Sequence, residues 1–469
     1  MTITTRHNLN LEEMDKAALF HPYTALAQHL RTGPRIMTEG RGVFLKDLHG
    51  RDYIDALAGL WCVNIGYGRP EIAEAVNKQL LELPYYHSFA SMGTETPVLV
   101  ADKLKEMAPG NMARVLFGCS GSDANDTQIK LVWYYNNVIG RPERRKIISR
   151  KRGYHGVTVA AGSLTGLPLQ HKAFNLPIDG ILHTESPHHY WDAPAGMSEA
   201  EFSRYLAGKL EEMILEEGPE TVAAFIAEPV MGAGGVVVPP ENYFQEIQAV
   251  LRKYDVLMIA DEVICGFGRT GKMFGCETFG IEPDMVSIAK GVTSGYMPLS
   301  GSLVGDKVWD ALIETSDEMG VFGHGYTYSA HPASCAAAVA NLEIIEKENL
   351  VERGAKAGEY LQRRLREAFS DHPQVGEVRG VGLIAAVEVV QDKAGKKSFD
   401  PALKVAPRIA AKALDLGLIT RALPNGDSLA FSPPLIISEQ EIDAVVERLG
   451  QAIAQVQDEL VKEGVSLAA

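Results

Sequence analysis

The chain has 469 residues, 46% of them hydrophobic and 22% charged, which excludes wholesale disorder, a collagen-like repeat and a coiled coil. Against 45 lysines and arginines stand 60 aspartates and glutamates, a net charge of −15; that field disfavours nucleic acid and anionic membranes as partners. Any anionic ligand must therefore be held by local donors.

The opening segment MTITTRHNLNLEEMDK lacks the apolar core of a secretory signal. No apolar run approaches the ~18 residues of a membrane span. Cys62, Cys119, Cys265, Cys276 and Cys335 are odd in number, scattered and without C-x-x-C spacing. This speaks against a disulfide framework or structural zinc and for a reducing, cytoplasmic setting.

Strand-like GVFLKD and DYIDA fall within residues 1–60. The middle of the chain then alternates apolar runs with amphipathic stretches, the pattern of βαβ units around a mostly parallel sheet. Runs at 114–117, 146–149, 222–227, 256–260 and 285–289 read as strands. Between the third and fourth, Phe244, Ile247 and Leu251 share one helical face. Beyond a boundary near 330, VGLIAAVEVV at 381–390 reads as a strand, and a helix over 402–416 stops at Gly417. SEQE at 438–441 is a capping box, with Ser438 as N-cap and Glu441 at N3. Ile442, Val445, Val446, Leu449, Ile453 and Val456 follow at helical spacing. This end is an α+β module of its own, and residues 1–60 are expected to pack with it.

Ligands of open α/β sheets bind at the carboxyl ends of strands. The run 114–117 leads into CSGSDAND, and 146–149 leads, after three residues, into GYHG. The run 222–227 is followed by Glu228, 256–260 by Asp261, and 285–289 by Lys290. One rim thus receives a glycine-serine turn, an aromatic ring, two carboxylates and a lysine, a candidate active site. Each element also has a plainer reading. SGSDAND at 120–126 can be a turn into a helix with Ser122 as N-cap, Asp261 a strand-end cap and Lys290 a solvated lysine. The functional reading places an anion on the backbone amides around Gly121 at a helix N-terminus. It makes Lys290, flanked by Val286, Ile288, Ala289 and Gly291, a buried amine nucleophile.

Two motifs are weaker. GFGRTG at 266–271 matches G-x-G-x-x-G, and GFGRTGKM matches a P-loop except at Met273, which has no hydroxyl for Mg²⁺. The following MFGCETFGIEP shows no helical period, so nucleotide binding is not expected. His183, His188 and His189 fit no zinc spacing, and no metal is expected.

IADEVICGFGRTG at 259–271 with EPDMVSIAKG at 282–291 resembles the signature of class III pyridoxal-phosphate aminotransferases. The resemblance runs from AGLWCVNIGYGR at 58–69 to FSPP at 431–434 and is nearest to the omega-amine:pyruvate transaminases. It implies an α/β, fold-type I PLP-dependent transferase. A large domain at 61–330 would carry a mostly parallel sheet, and residues 1–60 and 331–469 would form a smaller α+β domain. The chain would work as a homodimer, or a dimer of dimers, moving an amino group from a primary amine or omega-amino acid to pyruvate by a ping-pong route.

Carried over by position, Lys290 would form the Schiff base with pyridoxal 5'-phosphate and act as general base. Asp261 would pair with the pyridinium nitrogen. Val263 and Tyr154 would cover the two ring faces, and Glu228 would lie near the ring hydroxyl. Ser120, Gly121 and Ser122 would hold the phosphate, with Thr327 and the Tyr326 backbone contributed by the neighbouring subunit. Arg421 would bind a substrate carboxylate bidentately and swing away for uncharged amines. Trp61, Phe89 and Tyr154 would line the substrate pocket. The family commonly has Gly in place of Cys119, Glu in place of Asp123 and a smaller polar residue in place of Arg152. FASMGT at 89–94 and LPNGDS at 423–428 also depart from its pattern. The remaining alternatives are a decarboxylase or aminomutase on the same scaffold, a P-loop-like nucleotide binder, and a non-catalytic scaffold, against which Lys290 and Asp261 stand.

Overall fold

The computed structural model describes residues 10–424 and 426–467; residues 1–9 of the opening segment and Asn425 of LPNGDS lie outside this range. At its centre is a seven-stranded sheet. Its order is Met112–Gly118, Ser300–Gly305, Met285–Ile288, Leu257–Asp261, Val222–Ala227, Lys146–Arg150 and Ile181–Thr184. Only Ser300–Gly305, a strand not read from the sequence, runs antiparallel to its neighbours. The five strands carrying site residues therefore all point their carboxyl ends at one rim.

Strand alternation builds the core on both sides of this sheet. Ile226, Ile259 and Met285 pack with Ile129 and Val132 of the helix Gly121–Val138. Phe225, Met258 and Val286 pack with Phe244, Ile247 and Leu251 of the helix Tyr243–Lys253 on the other face. All six residues of Val222–Ala227 are buried.

Two smaller sheets flank it. The first joins Met37–Arg41, Phe44–Asp47 and Asp52–Asp55 to Leu418–Ile419, the last in parallel. The second contains Val375–Val381, Ile384–Val389, Ser428–Phe431 and Arg421–Ala422, all antiparallel. The run 381–390 thus divides between two strands at Gly382, where φ is +54°. Similarly, Lys404, with φ +49°, separates a 3₁₀ turn, Pro401–Leu403, from the helix Val405–Asp415. The capping box at Ser438 and Glu441 opens the helix Glu439–Lys462.

GFGRTG forms an interior turn. Arg269 is fully buried and donates to the carbonyls of Leu383 and Pro433 and to Asn64 Oδ1. A short helix, Gly275–Phe279, does follow, against the expectation from periodicity. The amides of Gly275 and Cys276 donate to the Glu262 carboxylate, which occupies the place a phosphate would need.

Candidate active site

Period-2 alternation decides where the adjacent acids Asp261 and Glu262 point. Asp261 follows Leu257 and Ile259 onto the face of the helix Gly121–Val138, and Glu262 turns to the opposite face. Asp261 Oδ2 there accepts from Asn125 Nδ2 at 2.8 Å and His155 Nδ1 at 2.8 Å, while Oδ1 accepts from the Val263 amide at 3.1 Å. Asp261 is 3% exposed and His155 2%. Three donors hold this carboxylate in one orientation. Asn125 and His155 sit inside the SGSDAND and GYHG motifs, but sequence reasoning assigned neither a role.

The helix Gly121–Val138 begins at the same rim. Its N-cap is Ser120, not Ser122: Ser120 Oγ accepts from the Asp123 amide, and Asp123 accepts from the Ser120 amide in a reciprocal box. Ser120 is thereby committed to the helix and does not line the cavity. Gly121 and Ser122 do line it. A side chain at Gly121 would press on Val263, its Cβ 3.0 Å from a Val263 methyl. Ser122 Oγ accepts from the Val157 amide at 3.1 Å, leaving its hydroxyl proton for a ligand. Asp123 also bonds the Cys119 amide and Ser300 Oγ, at 2.8 and 2.7 Å. Among the described residues with positive φ, Cys119 does not appear, so its side chain brings no backbone strain to the turn.

Lys290 opens a 3₁₀ turn, Lys290–Val292, with φ +44°, a left-handed value uncommon for a residue with a Cβ. The buried Asn341 fixes that turn through Nδ2 to the carbonyls of Gly291 and Val292. Burial pushes the Lys290 ammonium pKa down, opposed by the nearby Cys62, Asp261 and Glu228. A larger share of the amine is thus neutral and nucleophilic. Glu228 accepts from the amides of Tyr154 and Gly232 at 3.0 and 2.8 Å, and burial raises its carboxyl pKa.

These residues converge on one cavity of about 770 Å³, lined by Trp61, Gly121, Ser122, Tyr154, Glu228, Asp261, Val263, Lys290 and Arg421, among others. The Lys290 amine lies 5.7 Å and the Arg421 guanidinium 5.4 Å from the Trp61 ring centroid. Arg421 stands where the chain passes from one small sheet to the other, between Leu418–Ile419 and Arg421–Ala422. Among the described residues no carboxylate pairs with it, and burial lowers its pKa. The mouth also takes residues that sequence reasoning missed. Tyr23 Oη lies 3.4 Å from Tyr154 Oη and accepts from Gln170 at 2.6 Å.

Three further candidates lie outside this cavity. Phe89 lines a second one with Phe322 and Gly325, because the stretch after the helix Pro70–Glu82 runs to that flank. Tyr326 donates to the Asp123 carbonyl and shares a hydrogen bond with Thr127. Thr327 is exposed, and its carbonyl accepts from Tyr85. Of the histidine trio, His188 bonds Arg152 and Glu377 rather than its neighbours in sequence.

An anion cradle at a helix N-terminus, a carboxylate fixed by three donors and a buried amine fit a phosphorylated pyridine aldehyde. The family model for aminotransferase class-III matches residues 26–453. The chain is 53% identical over 464 residues to the diaminobutyrate–2-oxoglutarate transaminase of Halomonas elongata, covering 98% of this chain and 99% of that protein. The omega transaminase from Pseudomonas jessenii, solved in complex with PMP, superposes with a TM-score of 0.94 at 48% identity, covering 97% and 99% of the two chains. A transaminase solved with L-alanine gives a TM-score of 0.88 at 50% identity, covering 91% and 100%. With its lysine, its carboxylate floor and its helix cradle in place, the chain belongs to the class-III aminotransferases, fold-type I enzymes that use pyridoxal phosphate.

Proposed function

We propose that this aminotransferase carries an amino group from a primary amine or omega-amino acid to pyruvate in two half-reactions. The observation that carries the reading is Arg421: a guanidinium at the cavity mouth with no carboxylate partner among the described residues, set over the same Trp61 ring that the Lys290 amine approaches. Lysine and arginine enter the cavity lining only as Lys290 and Arg421 among the described residues. With Lys290 at the reacting centre, one cation is left for one substrate carboxylate. That suits pyruvate, whose aminated form is alanine, better than a dicarboxylic oxo acid. Leu60, Trp61, Tyr154, Ile264 and Leu167 supply an apolar wall for the rest of the amine donor.

Pyridoxal phosphate, when bound, supplies the aldehyde carbon that carries the amino group and a ring that takes up electron density. Lys290 Nζ would hold the aldehyde end of the cofactor, and with its pKa lowered by burial it would accept a substrate proton and return it. Asp261, oriented by Asn125 and His155, would keep a proton on the ring nitrogen. Gly121 and Ser122 would anchor the phosphate, and Val263 and Tyr154 would confine the ring from the cavity wall. Arg421 orients the oxo acid through paired N–H donors.

The reading includes a homodimer. Val98, Val321 and Tyr328 are 66%, 93% and 60% exposed beside the second cavity, an apolar face suited to a second copy that would bring Phe89, Tyr326 and Thr327 to the partner's site. An amine-donor panel with pyruvate and 2-oxoglutarate as alternative acceptors tests the proposal. Stoichiometric alanine formation is expected; equal or better turnover with 2-oxoglutarate would remove the pyruvate assignment.

A further inference from the structure

The segment beside Tyr23 holds a cluster outside the transamination site. Asp15 lies on the helix Leu11–Ala18, His29 on the helix Leu26–Thr32, and His21 on the turn between them. His21 Nε2 is 2.9 Å from both carboxylate oxygens of Asp15, and His29 Nε2 is 3.1 Å from Asp15 Oδ1. The three donor atoms lie within 4.8 Å of one another, and the two imidazole centroids are 4.5 Å apart. The His29 side chain is 10% exposed, that of Asp15 11% and that of His21 30%. Despite its approach to Asp15, His29 Nε2 is shut off from solvent and has no partner in hydrogen-bond geometry among the described residues. A buried polar atom left in that state costs about 1–3 kcal/mol. A cation between the three groups would satisfy it.

We propose that Asp15, His21 and His29 form a binding site for a divalent transition-metal ion of the zinc class, with a fourth position open to water. Two imidazole nitrogens and one carboxylate oxygen suit zinc, cobalt, nickel or copper, whereas calcium and magnesium prefer oxygen alone. With bonds of ~2.0–2.1 Å, tetrahedral zinc places its ligand atoms about 3.3 Å apart. The 2.9 and 3.1 Å separations need widening by only a few tenths of an ångström. The other described histidine–carboxylate cluster, His188 with Glu377 and Glu388, is already neutralised. Arg379 pairs with both of its carboxylates, and Arg152 with His188 Nδ1. Neither N-terminal helix has a fully buried side chain, so the ion would be a principal tie between them. It would also fix the turn that presents Tyr23 to Tyr154 and Gln170.

The test uses the untagged full-length holoenzyme, freed of metal by a chelator and titrated with zinc chloride by calorimetry. Metal content is then measured after desalting. One zinc per chain is expected, with affinity falling ~100-fold or more in Asp15→Asn and His29→Gln. Should either variant fail to fold, the wild-type enzyme decides alone: zinc should protect His21 from diethyl pyrocarbonate, read by peptide mass spectrometry. Undiminished zinc binding in both folded variants, or unchanged His21 modification at saturating zinc, would overturn the assignment.

Discussion

Asp261 at the floor of the cavity is held by Asn125, His155 and the Val263 amide, and Glu228 by two backbone amides; both lie almost wholly out of solvent at the ends of sheet strands. Arg421 and Tyr23 at the mouth come from outside the central sheet. Arg421 has no carboxylate partner among the described residues, and Tyr23 is 58% exposed. The floor is over-determined by hydrogen bonds that a substrate never touches. At the mouth, Tyr23 bonds only other mouth residues among those described, Tyr154 and Gln170, and Arg421 is left for whatever enters. On the proposed reading, chemistry is fixed where burial is deepest, and substrate range is set at the mouth.

Substitutions can break or sharpen this contrast. Lys290→Ala should show the largest effect: amino transfer falls by at least ~10⁴-fold with every donor, and the visible absorbance of the lysine-bound cofactor disappears. Asp261→Ala should cost ~10²–10⁴-fold, again evenly across donors, in steady-state kinetics. One amine spared by either change would show that the floor also reads substrate. At the mouth, Arg421→Ala should lower kcat/KM for pyruvate by about 10–100-fold, the loss of a charge-assisted hydrogen-bonded pair, while an uncharged aldehyde acceptor is nearly unaffected. Equal losses for both acceptors would place Arg421 with the floor.

The smallest effect tests the floor's rear support. Burial raises the Glu262 carboxyl to about 7. As pH rises from the ordinary glutamate value toward 7, the unfolded chain loses this proton before the folded one does. Stability should therefore fall across that window, by on the order of 1–3 kcal/mol. In Glu262→Gln this component of the slope should be absent, as measured by urea unfolding at pH 5 and pH 8.

Much of the floor was legible in the sequence because its residues directly follow apolar runs: Glu228, Asp261 and Lys290 each announce a strand end. The helix cap was misassigned to Ser122 because two serines compete for it, and only the reciprocal bond with Asp123 decides for Ser120. Asn125 and His155 gave no local signal. Their partner Asp261 is 136 and 106 residues away along the chain, and a polar residue inside a helix or loop looks the same with or without such a partner. Tyr23 was beyond reach for a related reason: its place depends on how a peripheral segment docks, which periodicity does not encode. Hydrophobic alternation therefore predicts what a sheet carries to its rim, while the supports arriving from other elements appear only after folding.

The pair Asp261 and Glu262 also limits how this protein can evolve. Adjacent along one strand end, they serve opposite faces: one faces the cavity and bonds His155, the other caps the helix Gly275–Phe279. A single-residue insertion or deletion in Leu257–Asp261 would exchange their sides, placing Glu262 toward the cavity and Asp261 toward the core. Point substitutions can explore the mouth one residue at a time. In the strand beneath it one register serves two sets of hydrogen bonds, those of Asp261 at the cavity and those of Glu262 at the helix.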